Sequence, residues 1–413
     1  MKIVVICHYF YPEIGAPSAR LFEMAKRWVD QGHEVQVVTC FPNHPTGIIP
    51  ENYRGNRYMA EVVEGIKIHR NYVYATPNEG FFKKTLGHVS FMISSICLSL
   101  FRISKPDVII VSSPTLFSVI SGYIFSLFKR KPYIFEVRDL WPDAIIKLGV
   151  LKNKMIIKTL TVMEMFLYKR SKKVVVVTNS FKEDLVSRGV PPGKVDVITN
   201  GVDTTIFNRD DMPAVEPLRQ EFGWGDKKVL LYVGAHGISQ GLGTIIEAAK
   251  EMLNDSDVLF VFVGEGAEKK KLIDLAAGYG LSNVQFISPQ DKHRIPLFYK
   301  ASYLSFVPLR NLPMFDAYIP SKMFEILGSG CPIVASISGE SAEILERSGG
   351  ALVVEPENVS AIVQSVRKLL SDSELREKLS HQGSEFVNGH YSRMALADKY
   401  IGIMKEVTEV NSR

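Results

Sequence analysis

Residues 320–336 read Pro-Ser-Lys-Met-Phe-Glu-Ile-Leu-Gly-Ser-Gly-Cys-Pro-Ile-Val-Ala-Ser, and they pass from a helical run to a buried strand, as is typical of α/β proteins. Ser321 is a favourable N-cap residue, and helix N-termini attract anions through their free N–H groups. Lys322 adds a positive charge at that end, and Glu325 follows one turn later on the same helix face. This pattern suits a nucleotide-sugar, with phosphates near the cation and ribose hydroxyls on the carboxylate. An exposed ion pair on a surface helix is an equally good interpretation of these residues taken alone.

Length and composition indicate a globular protein of two domains. The chain has 413 residues, of which 46% are hydrophobic and 23% are charged. The scattered spacing of the four cysteines argues against a disulfide framework or a zinc site. Free cysteines favour a reducing compartment, so we expect a cytoplasmic location. The first residues, Met-Lys-Ile-Val-Val-Ile-Cys-His, predict a strand rather than a signal peptide.

Charge is distributed unevenly along the chain, although the net charge is only +5. Residues 1–205 hold 27 Lys and Arg against 17 Asp and Glu, a balance of +10, and residues 206–413 hold 22 against 27, a balance of −5. A basic amino-terminal half predicts an anionic partner such as nucleic acid, phosphate or a membrane surface. No aromatic and basic platform accompanies the charge, so nucleic acid is not expected.

Two long apolar stretches, residues 85–101 and 108–128, contain no charged residue. The second is long enough to cross a bilayer, but Ser112, Ser113 and Pro114 interrupt it, which predicts a strand followed by a helix. The first predicts a core or interfacial helix, and it is flanked by Lys83, Lys84, Arg102 and Lys105. We therefore expect the basic half to lie on the inner face of the cytoplasmic membrane. An ordinary core helix with solvated charges at its ends is the alternative.

Short runs rich in valine and isoleucine alternate with helical patterns along most of the chain. Because these runs lack alternation of polar and apolar residues, they predict strands buried on both faces, and hence parallel sheets. The predicted strands of the first half are 3–7, 34–39, 108–111, 133–136, 174–178 and 195–198. Those of the second half are 229–233, 258–263, 284–287, 304–307, 333–335 and 351–354. Two such series predict two doubly wound, Rossmann-like domains.

The domain boundary is expected where the chain becomes polar and irregular, near residues 205–226. We assign residues 1–205 to an amino-terminal domain and residues 206–389 to a carboxyl-terminal domain. The last part of the chain has a helical pattern, and we expect a final helix of about 390–413 to pack back on the first domain.

Ligands of open α/β sheets bind beyond the carboxyl ends of the strands, so the loops there carry the candidate site residues. After the first strand, Gly15 would let the backbone approach a ligand, and Ser18 would cap the helix predicted over 18–31. A plain turn glycine is the alternative. The buried stripe of that helix is predicted to hold Leu21, Met24, Ala25 and Trp28. The loop lacks both the G-x-G-x-x-G fingerprint of nicotinamide cofactors and a P-loop, so no cofactor is expected.

The loop after the first strand of the second series holds three glycines before a helix begins. Its backbone amides can cradle a phosphate, with His236 and Gln240 as donors beside Gly237 and Gly241. A tight strand-to-helix turn is the alternative. Gly264, after the next strand, is a second position where a backbone could approach closely.

Two further pairs of charged residues lie next to predicted strands. Arg138 and Asp139 follow a strand of the first half, where they would reach a ligand, although a structural ion pair also explains them. Asp255 and Asp257 have the spacing of a metal-binding D-x-D pair, but they precede their strand and therefore lie at the opposite edge of the sheet. No metal site is expected.

These loops and several longer motifs together resemble the retaining glycosyltransferases of family 4, which have the GT-B fold of two Rossmann-like domains facing a cleft. Residues 174–185 and 198–203 with Phe207 are similar to the family's interdomain signature, and residues 263–266 and 283–286 match its donor-domain signatures. The motifs occur in the family's order, and the resemblance spans essentially the whole chain. The subgroup of N-acetyl-L-fucosamine transferases (WbuB-like) of O-antigen and capsule synthesis is especially similar. Its hallmarks correspond to residues 42–47, 138–142, 240–242 and 320–322.

The resemblance implies roles for individual residues. It assigns catalysis to Lys322, Glu325, Arg138 and Asp139. It assigns substrate binding to Gly15, His44, His236, Gly237, Gln240, Gly241, Gly264, Phe286, Ile287 and Ser321.

The chain departs from the family's pattern at three places. The family has two glutamates eight positions apart, and here the second is Glu325 but the first position is Ala317. The Arg and Lys of the family's glycine turn are replaced by residues such as His236 and Gln240, and Arg138 stands where many relatives have His. We infer that Lys322 supplies the missing positive charge.

The activity implied by the resemblance is transfer of a sugar, with retention and without a metal, from a UDP-sugar to a polyprenyl-pyrophosphate-linked glycan. N-acetyl-fucosamine or another N-acetylhexosamine is the expected sugar. The expected partners are the UDP-sugar, the lipid-linked acceptor and the anionic inner-membrane surface. Two alternatives stay open: a UDP-sugar 2-epimerase of the same fold, and a catalytically weak nucleotide-sugar-binding subunit, which Ala317 makes conceivable.

Overall fold

The computed structural model describes residues 1–13, 15–44, 46–77, 80–113, 115–143, 146, 151–208 and 213–409; the side chains of residues 16 and 80–82 are not among them. The chain divides into two compact units. The first unit comprises Met1–Thr199 together with Arg393–Arg413, and the second comprises Asn200–Ser392. Each unit has its own largely parallel sheet with helices packed on it, so the predicted α/β class with two doubly wound domains is confirmed.

The first unit is built on an eight-stranded sheet in the order β3-β4-β2-β1-β5-β6-β7-β8. Its strands are β1 (Lys2–Ile6), β2 (Glu34–Cys40), β3 (Tyr58–Val63), β4 (Ile66–Asn71), β5 (Val108–Ser112), β6 (Tyr133–Val137), β7 (Lys173–Val176) and β8 (Val195–Val197). Among the described residues, its helices before the second unit include α1 (Ala16–Asp30), α2 (Gly80–Ser99), α3 (Leu116–Lys129), α4 (Lys154–Arg170) and α5 (Asn179–Ser187). The predicted strands of the first half agree with these bounds to within two residues.

The second unit has a six-stranded parallel sheet in the order β11-β10-β9-β12-β13-β14. Its strands are β9 (Lys228–Val233), β10 (Val258–Val263), β11 (Val284–Ile287), β12 (Leu304–Pro308), β13 (Ile333–Ser336) and β14 (Ala351–Val354). Its helices are α6 (Glu216–Glu221), α7 (Gly243–Glu251), α8 (Lys269–Gly278), α9 (Ile295–Ala301), α10 (Lys322–Gly328), α11 (Gly339–Ser348), α12 (Val359–Ser371) and α13 (Ser373–His390). All six strands were predicted.

The final helix, α14 (Arg393–Glu409), belongs to the first unit and packs against α1. The indole Nε1 of Trp28 donates to the carbonyl of Ala397 over 3.1 Å. Arg27 pairs with Asp398 over 3.1 Å at the edge of this contact. The chain thus passes through the second unit and returns to the first.

The hairpin formed by β3 and β4 is the main element that the sequence analysis missed. These strands pair antiparallel at the edge of the first sheet. Glu64 and Gly65 both have positive φ values, 49° and 73°, as a two-residue hairpin turn of type I′ requires. The pair lacks the continuous apolar run that identified the other strands, because Glu61 lies in β3 and Lys67, His69, Arg70 and Asn71 lie in β4.

Helix α1 confirms one prediction and corrects another. Leu21, Met24, Ala25 and Trp28 are buried, as the apolar stripe predicts. Ser18 does not cap the helix, because the helix begins two residues earlier and Gly15 occupies the N-cap position. Ser18 therefore lies in the first turn, where it is buried.

The two long apolar stretches have the structures that the sequence predicts. Residues 85–101 fall largely within α2, and residues 108–128 form β5 followed by α3. Within the part of the chain that the structure describes, no helix is both long enough and apolar enough to span a membrane.

Each sheet has one topological switch point, where the strand order reverses and later strands are added on the opposite side. It lies between β1 and β5 in the first unit and between β9 and β12 in the second. Ligands of open α/β sheets bind at the carboxyl ends of the strands beside such a point. The loops that follow these strands are therefore the places to look for a site.

Candidate functional site

Lys322 is held against Tyr232 at the switch point of the second unit. Lys322 begins α10, and Tyr232 lies near the end of β9. The Lys322 Nζ donates to the Tyr232 Oη over 2.9 Å and lies 4.0 Å from the centre of the tyrosine ring. The Tyr232 hydroxyl donates in turn to the carbonyl of Ala235 over 2.7 Å. The ammonium is thereby fixed beside the glycine loop rather than left free to move.

This environment lowers the pKa of Lys322 to about 7, because burial disfavours the charged ammonium, while the nearby Glu325 carboxylate opposes the shift. The side chains of both residues are only partly exposed. The alternative interpretation of the sequence, in which Lys322 belongs to an exposed ion pair on a surface helix, therefore does not hold. A buried cation with a lowered pKa gains most from an anionic ligand, because the ligand restores its charge.

Ser321 occupies the N-cap position of α10 but does not act as a capping side chain. Its φ and ψ of −57° and −29° are helical, and its side chain makes no cap hydrogen bond. A capping serine needs an extended backbone to turn its hydroxyl toward the first turn. The capping role predicted for Ser321 is therefore wrong, and Lys322 is the charged group that this end of the helix presents.

The glycine loop after β9 uses its own amides internally. The Gly237 N–H donates to the Gln240 Oε1 over 3.1 Å, and the Gln240 N–H donates to the Gly237 carbonyl over 3.3 Å. The Gly241 N–H donates to the carbonyl of Ile238 over 3.4 Å. Gln240 thus stabilises a tight turn in this structure, and these three amides form hydrogen bonds within the loop. The phosphate cradle that the glycines predict stays a prediction.

Gly264 and Gly266 are required because two loops pass very close together. A Cβ atom on Gly264, whose φ is 144°, would lie 2.0 Å from the carbonyl oxygen of Gly234. A Cβ on Gly266 would lie 2.4 Å from the carbonyl oxygen of His236. The close approach predicted at Gly264 is real, but its partner is the neighbouring loop.

His236 is completely buried, and neither of its ring nitrogens has a hydrogen-bond partner in the described part of the chain. Its ring lies among Tyr232, Phe262 and Phe286, with centroids 5.8, 6.4 and 6.3 Å away. Burial, together with the charge of Lys269, lowers its pKa to about 4, so the imidazole is neutral at physiological pH. A neutral imidazole with two unused polar atoms can donate one hydrogen bond and accept another.

A cavity of about 200 Å³ lies beside these groups, between the loops after β9, β10 and β11. It is lined by Val233, Gly234, Ala235, Val263, Gly264, Glu265, Pro289, Gln290 and Ile295. Phe286 stacks on Phe262 with ring centroids 5.2 Å apart, and the Ile287 carbonyl accepts from the Gly264 N–H over 3.1 Å. Ile287 therefore contacts Gly264, which lines the cavity, and Phe286 packs against β10 beside it.

In the first unit, Arg138 lies at the carboxyl end of β6, close to the start of α1. Its Nη1 donates to the carbonyl of Pro17 over 3.2 Å, and its own amide donates to the Ser113 Oγ over 2.9 Å. Burial lowers the pKa of Arg138 to about 10 and raises the pKa of Asp139, although each group favours the charged form of the other. Arg138 and Gly15 are thus brought to the same edge of the sheet.

Glu13 is a further candidate residue, which the sequence analysis missed. Its carboxylate accepts from the backbone amides of Phe10, Asn43 and His44, over 3.3, 2.8 and 2.9 Å. Burial raises its pKa, and these hydrogen bonds oppose the shift. Glu13 therefore ties the loop after β2, which carries His44, to the loop after β1.

A cavity of about 310 Å³ opens beside His44 and is lined by Tyr9, His8, His88, Lys83 and Lys84 among others. His8 and His88 face each other with ring centroids 4.4 Å apart. Burial lowers the pKa of both, that of His88 to about 4, so neither carries a charge at neutral pH. Two uncharged imidazoles with lysines at the wall suit a ligand that has both hydroxyl and anionic groups.

A buried ion pair, also missed, supports this edge of the first sheet. The Nε of Arg20 lies 3.1 Å from the Glu136 Oε1, and both side chains are almost completely buried. Arg20 also donates to the Ile198 carbonyl over 2.8 Å, and the Ser112 Oγ donates to Glu136 over 2.6 Å. The pair joins α1 to β5, β6 and the residue after β8, beneath the loops that carry Gly15 and Arg138.

The D-x-D pair lies away from these loops. Asp257 pairs with Lys228 over 2.9 Å, and Asp255 lies 3.6 Å from Arg367. Both aspartates precede β10, at the amino edge of the sheet, as the sequence indicates. Across the described ranges, no three His, Cys, Asp or Glu side chains are grouped so that they could hold a metal ion.

Comparisons with known proteins identify both halves of the chain. Residues 18–206 match the domain described as Glycosyltransferase Family 4, and residues 215–386 match Glycosyl transferases group 1. Among curated proteins, the "Putative colanic acid biosynthesis glycosyl transferase WcaI" of Escherichia coli strain K12 is 31% identical over 379 residues, covering 90% of this chain and 92% of that protein.

Two solved structures illustrate the shared architecture. Sucrose-phosphate synthase from Thermosynechococcus elongatus superposes with a TM-score of 0.75 at 16% identity, covering 99% of this chain and all of that chain. Anabaena Alr3699/HepE, solved in complex with UDP-glucose, superposes with a TM-score of 0.71 at 16% identity, covering 98% of this chain and all of that chain. With the matches to both halves, they confirm the GT-B fold: this chain belongs to the glycosyltransferases that combine a Family 4 amino-terminal domain with a group 1 carboxyl-terminal domain.

Proposed function

We propose that this glycosyltransferase transfers a sugar, with retention of anomeric configuration, from a UDP-sugar to a polyprenyl-pyrophosphate-linked glycan. The product would be part of a bacterial surface polysaccharide such as O-antigen or capsule, and N-acetyl-fucosamine or another N-acetylhexosamine is the proposed sugar. The names of relatives support this setting: one is a colanic acid enzyme and another, from Rhizobium meliloti, a lipopolysaccharide core enzyme. The HepE structures in complex with UDP and UDP-glucose support the choice of nucleotide. We propose that the enzyme works on the inner face of the cytoplasmic membrane.

The observation that carries this proposal is the fixed position of Lys322 at the switch point of the second sheet. Negative charge on the departing diphosphate grows as the glycosidic bond breaks, and a cation fixed there in advance stabilises that charge. Tyr232 holds the ammonium through its hydroxyl and its ring, so little reorganisation is needed during the reaction. Lys322 would neutralise the leaving group without a metal ion.

Other groups of the second unit complete the donor site in this proposal. Glu325 would accept hydrogen bonds from the ribose hydroxyls, since it lies one turn after Lys322 on α10. His236 would hydrogen-bond the donor through a neutral ring nitrogen, since both nitrogens lack protein partners in the described chain. The cavity between the loops after β9, β10 and β11 would receive the base.

The first unit would bind the acceptor. Gly15 and Arg138 lie together at the carboxyl edge of its sheet, and His44 lines the nearby cavity of about 310 Å³. Arg138 and Asp139 would orient the acceptor hydroxyl toward the anomeric carbon, which contributes to rate through positioning. We propose no protein base, because the departing phosphate oxygen can take the acceptor's proton.

A panel of nucleotide-sugars, screened by thermal melting, tests the donor assignment. A ligand present at about 100 times its Kd raises the free energy of unfolding by about 2.7 kcal/mol, which a melting curve detects readily. UDP-sugars should stabilise the wild type, and Lys322→Ala should lose this effect. Lys270→Ala, which removes an exposed lysine of the same unit, should keep it. Stabilisation by another nucleotide's sugars alone would refute the UDP assignment.

Turnover distinguishes transfer from the two alternatives. With the stabilising donor and a lipid-linked acceptor, a transferase yields a new glycoside. If the donor alone is converted to an epimer, the protein is a 2-epimerase. If the donor binds but no acceptor is ever glycosylated, it is a binding subunit.

A further inference from the structure

A large groove opens at the amino edge of the first sheet, the edge opposite the candidate site. Its volume is about 910 Å³, and segments that immediately precede β1, β6 and β7 form its walls. Four cations line it: Arg130, Lys131, Arg170 and Lys172. Asp107 is the one acidic residue among its lining residues in the described chain, and it lies 3.9 Å from Lys131. The groove therefore keeps a strong positive charge.

Exposed apolar side chains lie next to residues that line this groove: Phe128 follows the lining residue Leu127, and Phe166 contacts the lining residue Arg170. Phe101, just after α2, is 80% exposed, and Phe128, near the end of α3, is 64% exposed. Their rings lie 6.3 Å apart, edge to face. The guanidinium of Arg170 lies 5.3 Å from the centre of the Phe166 ring, which is itself exposed. Large apolar groups beside cations are the composition of surfaces that bind at a lipid interface.

The apolar surface continues along the layer of helices that leads away from the groove. On α4, Met155, Val162 and Phe166 are exposed at helical spacing. On α2, Ile93 is exposed. Since α3 packs against both helices, these residues belong to one layer on the outside of the first unit. A protein surface with so many exposed apolar side chains indicates a binding face.

We propose that this helical layer lies on an anionic bilayer and that the groove binds the phosphate groups of its anionic phospholipids. Arg and Lys side chains bind phosphate oxygens through charged hydrogen bonds, while the adjacent phenylalanines enter the region below the headgroups. The proposal deepens the proposed function by naming the surface that meets the membrane. It rests on the proposed function in one respect only: that function explains why binding to the membrane would be useful.

This placement predicts the orientation of the first unit. Helix α3 runs from the carboxyl edge of the sheet, where the acceptor residues lie, to the amino edge, where the groove lies. Its 14 residues span about 21 Å, since a helix rises about 1.5 Å per residue. With the helical layer flat on the membrane, the strands run along the surface. Both edges then stay within reach of lipid headgroups, and an acceptor can enter without leaving the bilayer.

Vesicle co-sedimentation at low salt tests the groove. The full-length protein would be mixed with vesicles of phosphatidylcholine alone or of phosphatidylcholine with phosphatidylglycerol. Binding should require phosphatidylglycerol. The double variant Arg130→Gln/Lys172→Gln should partition about 30-fold more weakly, because each removed cation near an anionic surface accounts for about a fivefold effect. The control Lys270→Gln/Lys378→Gln lowers the net charge equally from exposed positions of the second unit and should bind like the wild type.

A second variant distinguishes the insertion of apolar side chains into the bilayer from the electrostatic attraction of the groove. Phe101→Ser/Phe128→Ser removes two exposed apolar side chains, so its melting temperature should match that of the wild type. It should bind anionic vesicles more weakly while keeping the salt dependence that the groove variant loses. A groove defect seen only in variants that have lost their native melting transition would count against the proposal.

Three results would overturn the inference. They are equal recovery with neutral and anionic vesicles, equal losses for the groove variant and its charge-matched control, and binding of an RNA or DNA duplex through the groove cations without vesicle binding. The test does not measure sugar transfer. Vesicle binding without any transfer would therefore contradict only the proposed sugar transfer. Transfer without vesicle binding would contradict the docking surface and the proposed membrane location, but not the sugar transfer.

Discussion

The affinity of the protein for its UDP-sugar should fall as pH rises through neutrality, and Lys322 should be the cause. Burial lowers the pKa of Lys322 to about 7 in the free protein. A diphosphate beside the ammonium favours its charged form and raises the pKa again. At a pH above the pKa of Lys322 in the free protein, Lys322 must therefore take up a proton when the UDP-sugar binds. The affinity consequently falls as the pH rises. The diphosphate of a UDP-sugar is a diester, so its two phosphate groups keep their charges over this range.

The size of the effect follows from the fraction of protein that carries the proton. With a pKa near 7, this fraction falls from about nine-tenths at about pH 6 to about one-hundredth at about pH 9. Affinity should therefore fall about 90-fold, or about 2.7 kcal/mol, between these limits. His236 and Tyr232 do not titrate in this window: the pKa of His236 is lowered to about 4, and burial raises that of Tyr232 above its ordinary value.

Isothermal titration calorimetry across this range measures both the affinity and the proton uptake. At about pH 8 the wild type should take up about 0.9 proton on binding, read from the dependence of the heat on the buffer's ionisation enthalpy. Lys322→Arg keeps its charge throughout, so any binding it retains should be independent of pH. Lys270→Arg should behave like the wild type. A flat wild-type profile, or an equal slope in Lys322→Arg, would refute the reasoning.

Three further results are expected. Glu325→Ala should weaken UDP binding about 10- to 150-fold by calorimetry, since a charged hydrogen bond is worth about 1.5–3 kcal/mol; unchanged affinity in the folded variant, with Glu247→Ala on α7 as control, would exclude the ribose contact. Gly264→Ala should lower the free energy of unfolding by about 1–3 kcal/mol and abolish donor binding, since its Cβ would lie 2.0 Å from the Gly234 carbonyl oxygen, whereas Gly278→Ala, with open space around its Cβ, should do neither. Sugar transfer should persist in excess EDTA; loss of turnover that magnesium or manganese restores would disprove metal independence.

The sequence predicted most of the fold because buried parallel strands leave an unmistakable pattern. Runs such as that of β10, Val-Leu-Phe-Val-Phe-Val, are apolar and buried at every position. The β3–β4 hairpin escaped because polar residues interrupt both strands: Glu61 in β3, and Lys67, His69, Arg70 and Asn71 in β4. The signal that could have found it is Glu64-Gly65, a two-residue turn between β-prone runs.

The sequence also pointed to the loops that hold the candidate site residues, but it could not show the hydrogen bonds within those loops. Spacing alone could not show that the Gln240 side chain accepts a hydrogen bond from the Gly237 amide. Nor could it show that the Gly234 carbonyl leaves no room for a Cβ atom on Gly264. These contacts join residues from different loops, and their geometry appears only after the sheet is formed.

Tyr232 and Glu13 were missed for related reasons. Tyr232 sits in an apolar strand, where its pattern fits a core residue, although a buried tyrosine hydroxyl needs a partner and here finds Lys322. Glu13 acts by holding backbone amides from a loop about thirty residues away, for which no local pattern exists. The same holds for the buried pair of Arg20 and Glu136, whose partners are 116 residues apart.

The most direct test of the account is a transfer reaction with the stabilising UDP-sugar and a polyprenyl-pyrophosphate-linked acceptor, with the anomeric configuration of the isolated product read by proton NMR. We predict release of UDP in equal amount to a new glycoside that keeps the donor's configuration, at a kcat that falls in Lys322→Ala. An inverted glycoside, an epimerised donor, or an unchanged kcat in Lys322→Ala would contradict it.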